Sequence, residues 1–136
     1  MVTKDPVILV VDDNALIIDL IRFALRDITT RMSGATSAPR ALSSAQETPF
    51  SLIITDLVMP GMSGSTFIKQ LRQLPGYATT PIIVISGYDE KTGARDAHAA
   101  GAALFIPKPF TAHDIADAVR HVLRGHKDRP GERQAP

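Results

Sequence analysis

Acidic residues stand at the ends of two apolar segments of this sequence. Asp12 and Asp13 directly follow residues 7–11, and Asp56 follows residues 52–54 after a single threonine. Carboxylates gathered in one place repel one another, which is costly without a cation nearby. Hard oxygen ligands with room for water suit Mg²⁺. If the fold brings these three side chains together, they predict a site for Mg²⁺, or for Mn²⁺ in its place.

A hydroxyl group and an ammonium group follow two further apolar segments. Ser86 comes directly after residues 82–85, and Lys108 comes shortly after residues 102–106. Taken singly, each acid fits a helix N-cap, Ser86 fits a turn, and Lys108 fits a solvated surface charge. Taken together at strand ends, they favour phosphoryl transfer. A carboxylate can act as the nucleophile, and the cations can offset the charge of the transferred group.

The apolar segments that would position these groups have the pattern of buried strands. All four are short, rich in isoleucine and valine, and lack polar alternation. This pattern is typical of parallel strands covered on both faces. Residues 29–36 must supply a further strand, and their serine, glycine and threonine content is typical of an edge strand.

Helical spacing fills the segments between the strands. Pro39 fits the first turn of a helix over residues 39–47, and residues 111–114 predict a capping box before the last helix. Residues 89–100 carry only small apolar side chains, so we expect a weakly held helix there. The first helix places these apolar residues at helical intervals: Ile17, Leu20, Ile21, Ala24, Leu25 and Ile28.

The alternation of five strands with five helices predicts an α/β fold. Its sheet would be parallel, with helices on both faces. Open sheets of this kind bind ligands beyond the carboxyl ends of their strands. The acids, Ser86 and Lys108 all stand at such ends.

Composition limits the classes of function. The chain has 136 residues, enough for one domain, and a net charge of +1, which disfavours nucleic-acid binding. It has no cysteine. Its apolar runs are far shorter than the roughly 20 residues of a membrane span, and the first strand begins too early for a signal peptide, so we expect a cytoplasmic protein. Residues 125–136 lack large apolar side chains and predict a disordered tail.

The ordered set of motifs resembles the receiver domain of two-component signalling systems. The resemblance covers about residues 5–124. It implies a flavodoxin-like, doubly wound (βα)5 fold with strand order 2-1-3-4-5. It rests on Asp12-Asp13, on residues 56–64, on Ser86-Gly87, on Gly101-Ala102 and on residues 105–110.

The resemblance implies a role for each acid. Asp56 would be the phosphoacceptor. Asp13, Asp56 and the backbone carbonyl of Val58 would ligate Mg²⁺, and Asp12 would contribute mainly through a bound water.

It also implies how the phosphoryl group is held and read. Lys108, Ser86 and the backbone at Val58 and Gly87 would bind the phosphoryl oxygens. Ser86 and Phe105 would form the switch, with Phe105 turning inward as Ser86 moves toward the phosphoryl group.

The resemblance implies a backbone feature and two positions that tune the lifetime of the phosphorylated form. Lys108 and Pro109 would be joined by a cis peptide bond. Val58 and Tyr88 would set the lifetime of the phosphorylated form, and neither orients an attacking water well. We therefore expect slow hydrolysis.

The implied function is that of a single-domain response regulator, not an enzyme beyond its own phosphorylation and dephosphorylation. A histidine kinase or phosphotransfer protein would donate the phosphoryl group. With no residues left for an output domain, the signal would pass to a partner protein through the fourth helix, fifth strand and fifth helix, or along a phosphorelay. The protein would be a monomer or a weak, phosphorylation-linked dimer. A phosphorylation-independent docking module remains an alternative. A hydrolase that uses an aspartyl phosphate would need an acid at position 58, which is valine.

Overall fold

The strands and helices alternate along the whole described part of the chain. The computed structural model describes residues 5–87 and 90–128. In these residues the elements are β1 Val7–Val11, α1 Ala15–Ala24, β2 Arg31–Ala35, α2 Ala38–Glu47, β3 Leu52–Asp56, α3 Gly64–Gln73, β4 Ile82–Ser86, α4 Glu90–Ala99, β5 Leu104–Pro107 and α5 Ala112–Asp128.

The five strands form one parallel sheet in the order β2-β1-β3-β4-β5. This confirms the predicted fold class and strand order. The segment 29–36 supplies the edge strand β2, as predicted, and this strand is largely exposed. The central strands β1, β3 and β4 are almost fully buried, as their unbroken apolar sequences predict.

The core lies in two layers because successive side chains of a strand point to opposite faces of the sheet. On one face, Ile8 and Val10 of β1 pack with residues of α1 and α5. On the other face, Leu9 and Val11 pack with residues of α2, α3 and α4. The helices thus cover both faces and leave the carboxyl edge of the sheet accessible.

Capping residues fix where several helices begin. Asn14 caps α1, Ser37 caps α2 with Pro39 in the first turn, and Ser63 caps α3, each through a side-chain oxygen that accepts a backbone N–H. The predicted capping box of α5 is present. Its Thr111 N–H donates to Asp114 at 2.9 Å, and the Asp114 N–H donates to the Thr111 hydroxyl at 3.0 Å.

Some boundaries differ from the sequence prediction. Helix α1 ends at Ala24, so Ile28 lies beyond it, although Ile28 still packs on the core. Leu20 is 36% exposed because it lies on the flank of α1 that faces away from the sheet. Strand β5 spans Leu104–Pro107. Helix α5 continues to Asp128, so residues 125–128 are helical and do not belong to the predicted tail. Residues 129–136 lie outside the described residues.

Candidate functional site

Three carboxylates meet at the carboxyl edge of the sheet. Asp56 is the last residue of β3, and Asp12 follows the last residue of β1. Since Val11 is paired with Thr55, Asp12 and Asp56 leave adjacent strands at the same level. One oxygen from each of Asp12, Asp13 and Asp56 lies within 4.8 Å of the other two. Asp12 and Asp56 are buried, and Asp13 is exposed.

Lys108 bridges the two buried acids. Its Nζ lies 3.0 Å from Oδ2 of Asp12 and 3.0 Å from Oδ2 of Asp56. This ammonium comes from the segment after β5, so it reaches the acids from the far side of β4. The contact joins three strand ends into one site.

The second oxygen of each buried acid is held by the backbone. The Asn14 N–H donates to Oδ1 of Asp12 at 2.8 Å, and the Val58 N–H donates to Oδ1 of Asp56 at 3.0 Å. In both cases the donor is two residues after the acid, which is the geometry of an Asx turn. Both carboxylates are therefore oriented before any ligand binds.

For Asp12 and for Lys108, burial shifts the pKa in one direction, and the contacts between the lysine and the acids shift it in the other. Burial raises the pKa of the Asp12 carboxyl, and the hydrogen bonds from Asn14 and Lys108 offset this only in part. For Lys108, burial alone would lower the pKa of the ammonium. The hydrogen bonds and charges of Asp12 and Asp56 outweigh burial and leave that pKa raised. The site therefore holds a firmly protonated lysine beside an acid that would gain from more positive charge.

The donor set fits a hard divalent cation. Three carboxylate oxygens lie close together, one of them on an exposed side chain, and Mg²⁺ takes oxygen ligands while keeping several waters. The raised pKa of Asp12 shows that Lys108 alone does not compensate the buried negative charge. Asp12, Asp13 and Asp56 are the residues that would hold such an ion.

Gly64 makes room for the backbone of Asp56. A Cβ built at Gly64 would overlap the carbonyl oxygen of Asp56 and would lie 2.6 Å from the Cα of Leu57. The Gly64 N–H also donates to the Leu57 carbonyl at 2.9 Å. This contact packs the start of α3 against the end of β3. In the sequence, Gly64 is marked only by its place within the motif of residues 56–64.

The remaining predicted site residues lie around this cluster. Ser86 ends β4 and is buried, and its carbonyl accepts the Lys108 N–H at 2.8 Å. The Lys108–Pro109 peptide bond is cis. Val58 is 48% exposed at the mouth of the site.

Gly87 and Phe105, two more of the predicted site residues, follow or lie on the strands β4 and β5 that lead to the site. Gly87 is exposed, and Phe105 of β5 is half-buried against the cluster under α4. Tyr88 lies outside the described residues.

An exposed apolar stripe on α1 was not predicted from the sequence. Leu16 is 75% exposed, Phe23 is 56% exposed, and Leu20 lies between them on the same flank of α1. Their spacing of four and three residues places them on one helix face. That pattern could be found in the sequence, but the choice between core and surface needed the sheet.

The described residues contain no helix with both the length and the apolar character needed to cross a bilayer.

Comparison with known proteins identifies the family and agrees with the fold. The family model described as the response regulator receiver domain matches residues 8–120. The transcriptional regulatory protein ResD of Bacillus subtilis is 32% identical over 122 residues, which cover 90% of this chain and 50% of ResD. The sensory transduction protein RegX3 of Mycobacterium tuberculosis is 29% identical over 125 residues, covering 92% of this chain and 54% of RegX3. The chain spans about half the length of these curated relatives.

One solved structure has the same fold as this chain over almost the whole length of the solved protein. The chemotaxis response regulator CheY4 of Vibrio cholerae superposes with a TM-score of 0.81 at 28% identity, covering 88% of this chain and 99% of CheY4. With the family model, the parallel sheet and the acidic cluster in agreement, the chain belongs to the response regulator receiver family of two-component signalling.

Proposed function

We propose that this chain is a phosphorylation switch in which Asp56 accepts a phosphoryl group with Mg²⁺ bound. The donor would be a phosphohistidine on a histidine kinase or a phosphotransfer protein. One observation carries the proposal: the Nζ of Lys108 contacts Asp12 and Asp56 together, inside a cluster of three carboxylates. This arrangement supplies a nucleophile, a fixed positive charge and a set of cation ligands within one small space.

The transfer needs little covalent chemistry from the protein. An Oδ of Asp56 attacks the phosphorus atom, an O–P bond forms, and the N–P bond to the donor histidine breaks. The imidazole leaves with its electron pair. The protein must mainly fix the attacking oxygen and neutralise charge on the transferred group. The Val58 N–H orients the Asp56 carboxylate, and Lys108 is placed to bind a phosphoryl oxygen.

The bound cation would add charge that Lys108 alone does not provide. Asp13, Asp56 and the Val58 carbonyl would hold it directly, and Asp12 would act mainly through a water. Mg²⁺ stabilises the charge on transferring phosphoryl oxygens. The acidic cluster supports this assignment because its oxygens lie within 4.8 Å of one another.

The phosphorylated form would differ from the free form mainly around β4 and β5. The product carries up to two negative charges and three strong acceptors. Ser86 and the N–H groups of Val58 and Gly87 would gather around them, and Phe105 would move with Ser86. A ligand or modification shifts a conformational equilibrium only through such differential contacts. The face formed by α4, β5 and α5 would then bind an output partner or pass the signal along a relay.

The proposal includes the setting in which this switch works. We place it in the cytoplasm, as a monomer or a weak, phosphorylation-linked dimer. The sensory transduction protein RegX3 and the transcriptional regulatory protein ResD are about twice as long as this chain. Their outputs therefore say nothing direct about the partner of this chain.

The test is transfer from a protein donor. A histidine phosphotransfer protein, phosphorylated with radiolabelled phosphate, is mixed with the native chain and with Asp56→Asn in the presence of Mg²⁺. We expect the label to move to the native chain and not to the variant. Label that stays on every donor tried would contradict the proposal.

The alternative, a docking module that needs no phosphorylation, makes a different prediction. It requires partner binding to survive Asp56→Asn and removal of Mg²⁺ unchanged. The complete set of three acids and Lys108 in one cluster favours the switch, because a docking surface does not need a buried pair of acids bridged by a lysine.

A further inference from the structure

Gly93 of α4 lies against the aromatic ring of Phe105. A Cβ built at Gly93 would overlap Cζ of the ring and would lie 2.7 Å from Cε1 and 3.4 Å from Cε2. A real Cβ does not approach other heavy atoms so closely. The ring therefore occupies space that any other residue at position 93 would need.

The other apolar side chains described on this side of α4 are small. Ala97, one turn after Gly93, is buried in the same apolar cluster, and Ala100 and Ala102 pack at its edge. Among the described residues of this cluster, Phe105 therefore brings a large apolar ring from β5 against α4. Glycine within a helix disfavours the helical conformation. The Phe105 contact gives a physical reason for glycine at this position.

The two partners of this contact are connected to the phosphoryl site by separate routes. Phe105 is paired with Val84 and stands in the strand that leads to Lys108. The chain enters α4 shortly after Ser86, whose carbonyl accepts the Lys108 N–H. A change at Asp56 that moves Ser86 or Lys108 would therefore act on both sides of the contact between Gly93 and Phe105.

We propose that Gly93 is a positioning residue that seats the Phe105 ring under α4, and that this contact sets how firmly α4 is attached in each state of Asp56. This inference rests on the proposed function, because it names the contact that would link phosphorylation to the output face. It concerns residue 93, which acts through Phe105 and does not touch the phosphoryl group.

The first test uses the unphosphorylated chain, so it does not depend on the proposed function. Gly93→Ala should displace the ring, which is the movable end of a side chain. We expect shifted aromatic NMR resonances of Phe105 and faster amide hydrogen exchange in α4. The matched control is Gly125→Ala in α5, where a Cβ meets nothing within 4 Å. The control should gain about 3 °C in thermal midpoint from helix propensity, and Gly93→Ala should not.

A second variant separates the contact from general damage to α4. In Gly93→Ala combined with Phe105→Leu, the smaller side chain leaves room for the new methyl group. Hydrogen exchange in α4 should then return toward that of Phe105→Leu alone. If Gly93→Ala changed neither the Phe105 resonances nor the hydrogen exchange of α4, the claim that the Phe105 ring packs against Gly93 would be wrong.

The last test measures coupling. In the native chain, phosphorylation should change hydrogen exchange in α4, and Gly93→Ala should reduce that change about two-fold or more. If Gly93 had a purely structural role, Gly93→Ala would lower stability but leave the change in α4 hydrogen exchange on phosphorylation as large as in the native chain. That result would overturn the inference. A native chain that takes up no phosphoryl group would overturn the proposed function and the coupling, while the ring displacement would still stand.

Discussion

Lys108 and Asp12 form an ion pair in which the carboxylate is fully buried and the ammonium is partly exposed. The Nζ to Oδ2 distance is 3.0 Å, and the exposed fractions of the two side chains are 24% and 0%. Lys108 shares its charge between Asp12 and Asp56. One ammonium thus serves two buried acids, and the site stays short of positive charge.

Removing the charge of Asp12 should stabilise the metal-free protein. Burial raises the pKa of Asp12, so its ionisation costs folding free energy as pH rises above the ordinary value of 3.8. At pH 7, Asp12→Asn should raise the free energy of unfolding measured in urea titrations. The gain should shrink as pH falls and should be lost below 3.8, where the carboxyl group is protonated in the folded and in the unfolded chain. The exposed control Asp19→Asn should change stability by less than about 0.5 kcal/mol. A loss of stability for Asp12→Asn at pH 7 would contradict this account.

Removing the charge of Lys108 should have the opposite effect on stability. Because the pKa of Lys108 is raised, its contribution is complete below the ordinary value of 10.5 and is lost as pH rises through the raised value. Lys108→Met should therefore lower the free energy of unfolding at pH 7 by about 1 to 2 kcal/mol, a figure discounted for partial exposure. The exposed Lys69→Met serves as the control and should be nearly neutral. Equal stabilities of the two variants would argue against the bridge.

The same substitution should separate cation binding from phosphoryl uptake. Without Lys108, Mg²⁺ no longer competes with a bound ammonium, so its affinity measured by calorimetry should rise. Phosphoryl uptake should nevertheless slow by about 100-fold, since a preorganised charge at the transferred group is lost. Uptake at the native rate would show that Lys108 has no part in the transfer.

Adding a methyl group at Gly64 should disturb the position of Asp56. The new Cβ would overlap backbone atoms of Asp56 and Leu57, which cannot move aside as a side chain can. Gly64→Ala should lower the free energy of unfolding by about 2 kcal/mol, and it should slow phosphoryl uptake. The control is Gly87→Ala, where a Cβ meets nothing within 4 Å and the backbone N–H is kept. Similar losses of stability in both variants would refute the packing explanation.

The lifetime of the phosphorylated form should depend on the side chain at position 58. Val58 is exposed at the site and cannot orient an attacking water. We expect a long-lived phosphoryl group in the native chain and about tenfold faster hydrolysis in Val58→Asn, whose amide can position a water. Val58→Leu, which is also apolar, should keep the native lifetime. Decay can be followed by intact mass over time, and equal rates in all three proteins would contradict this role.

Sequence reasoning predicted the elements that are buried on both faces. Strands such as Ile82–Ser86 have short, unbroken apolar sequences, which are typical of strands buried on both faces of a sheet. Because the ends of these strands could be located in the sequence, Asp12, Asp56 and Lys108 could be predicted to lie in one site, and they are in contact. The edge strand β2 was predicted mainly because the alternation required a strand there.

What the sequence did not predict depends on contacts between distant segments. Leu20 and Leu16 have the apolar character of core residues, and only the docking of α1 on the sheet shows that they face outward. Gly64 and Gly93 matter because of the atoms they meet, Asp56 and Phe105, and a glycine in a sequence does not reveal its neighbours. The sequence predicted a disordered tail from residue 125, but α5 continues to Asp128. A helix can continue without large apolar residues, so their absence did not mark its end.

The central claim is that Asp56 accepts the phosphoryl group with the help of a divalent cation. The most direct measurement is intact mass after incubation with acetyl phosphate and Mg²⁺. We predict a gain of about 80 Da, one phosphoryl group, in the native chain, and no gain in Asp56→Asn or in the native chain with EDTA. An equal gain in Asp56→Asn, or no gain in the native chain with acetyl phosphate or with any phosphorylated histidine kinase tried, would contradict it.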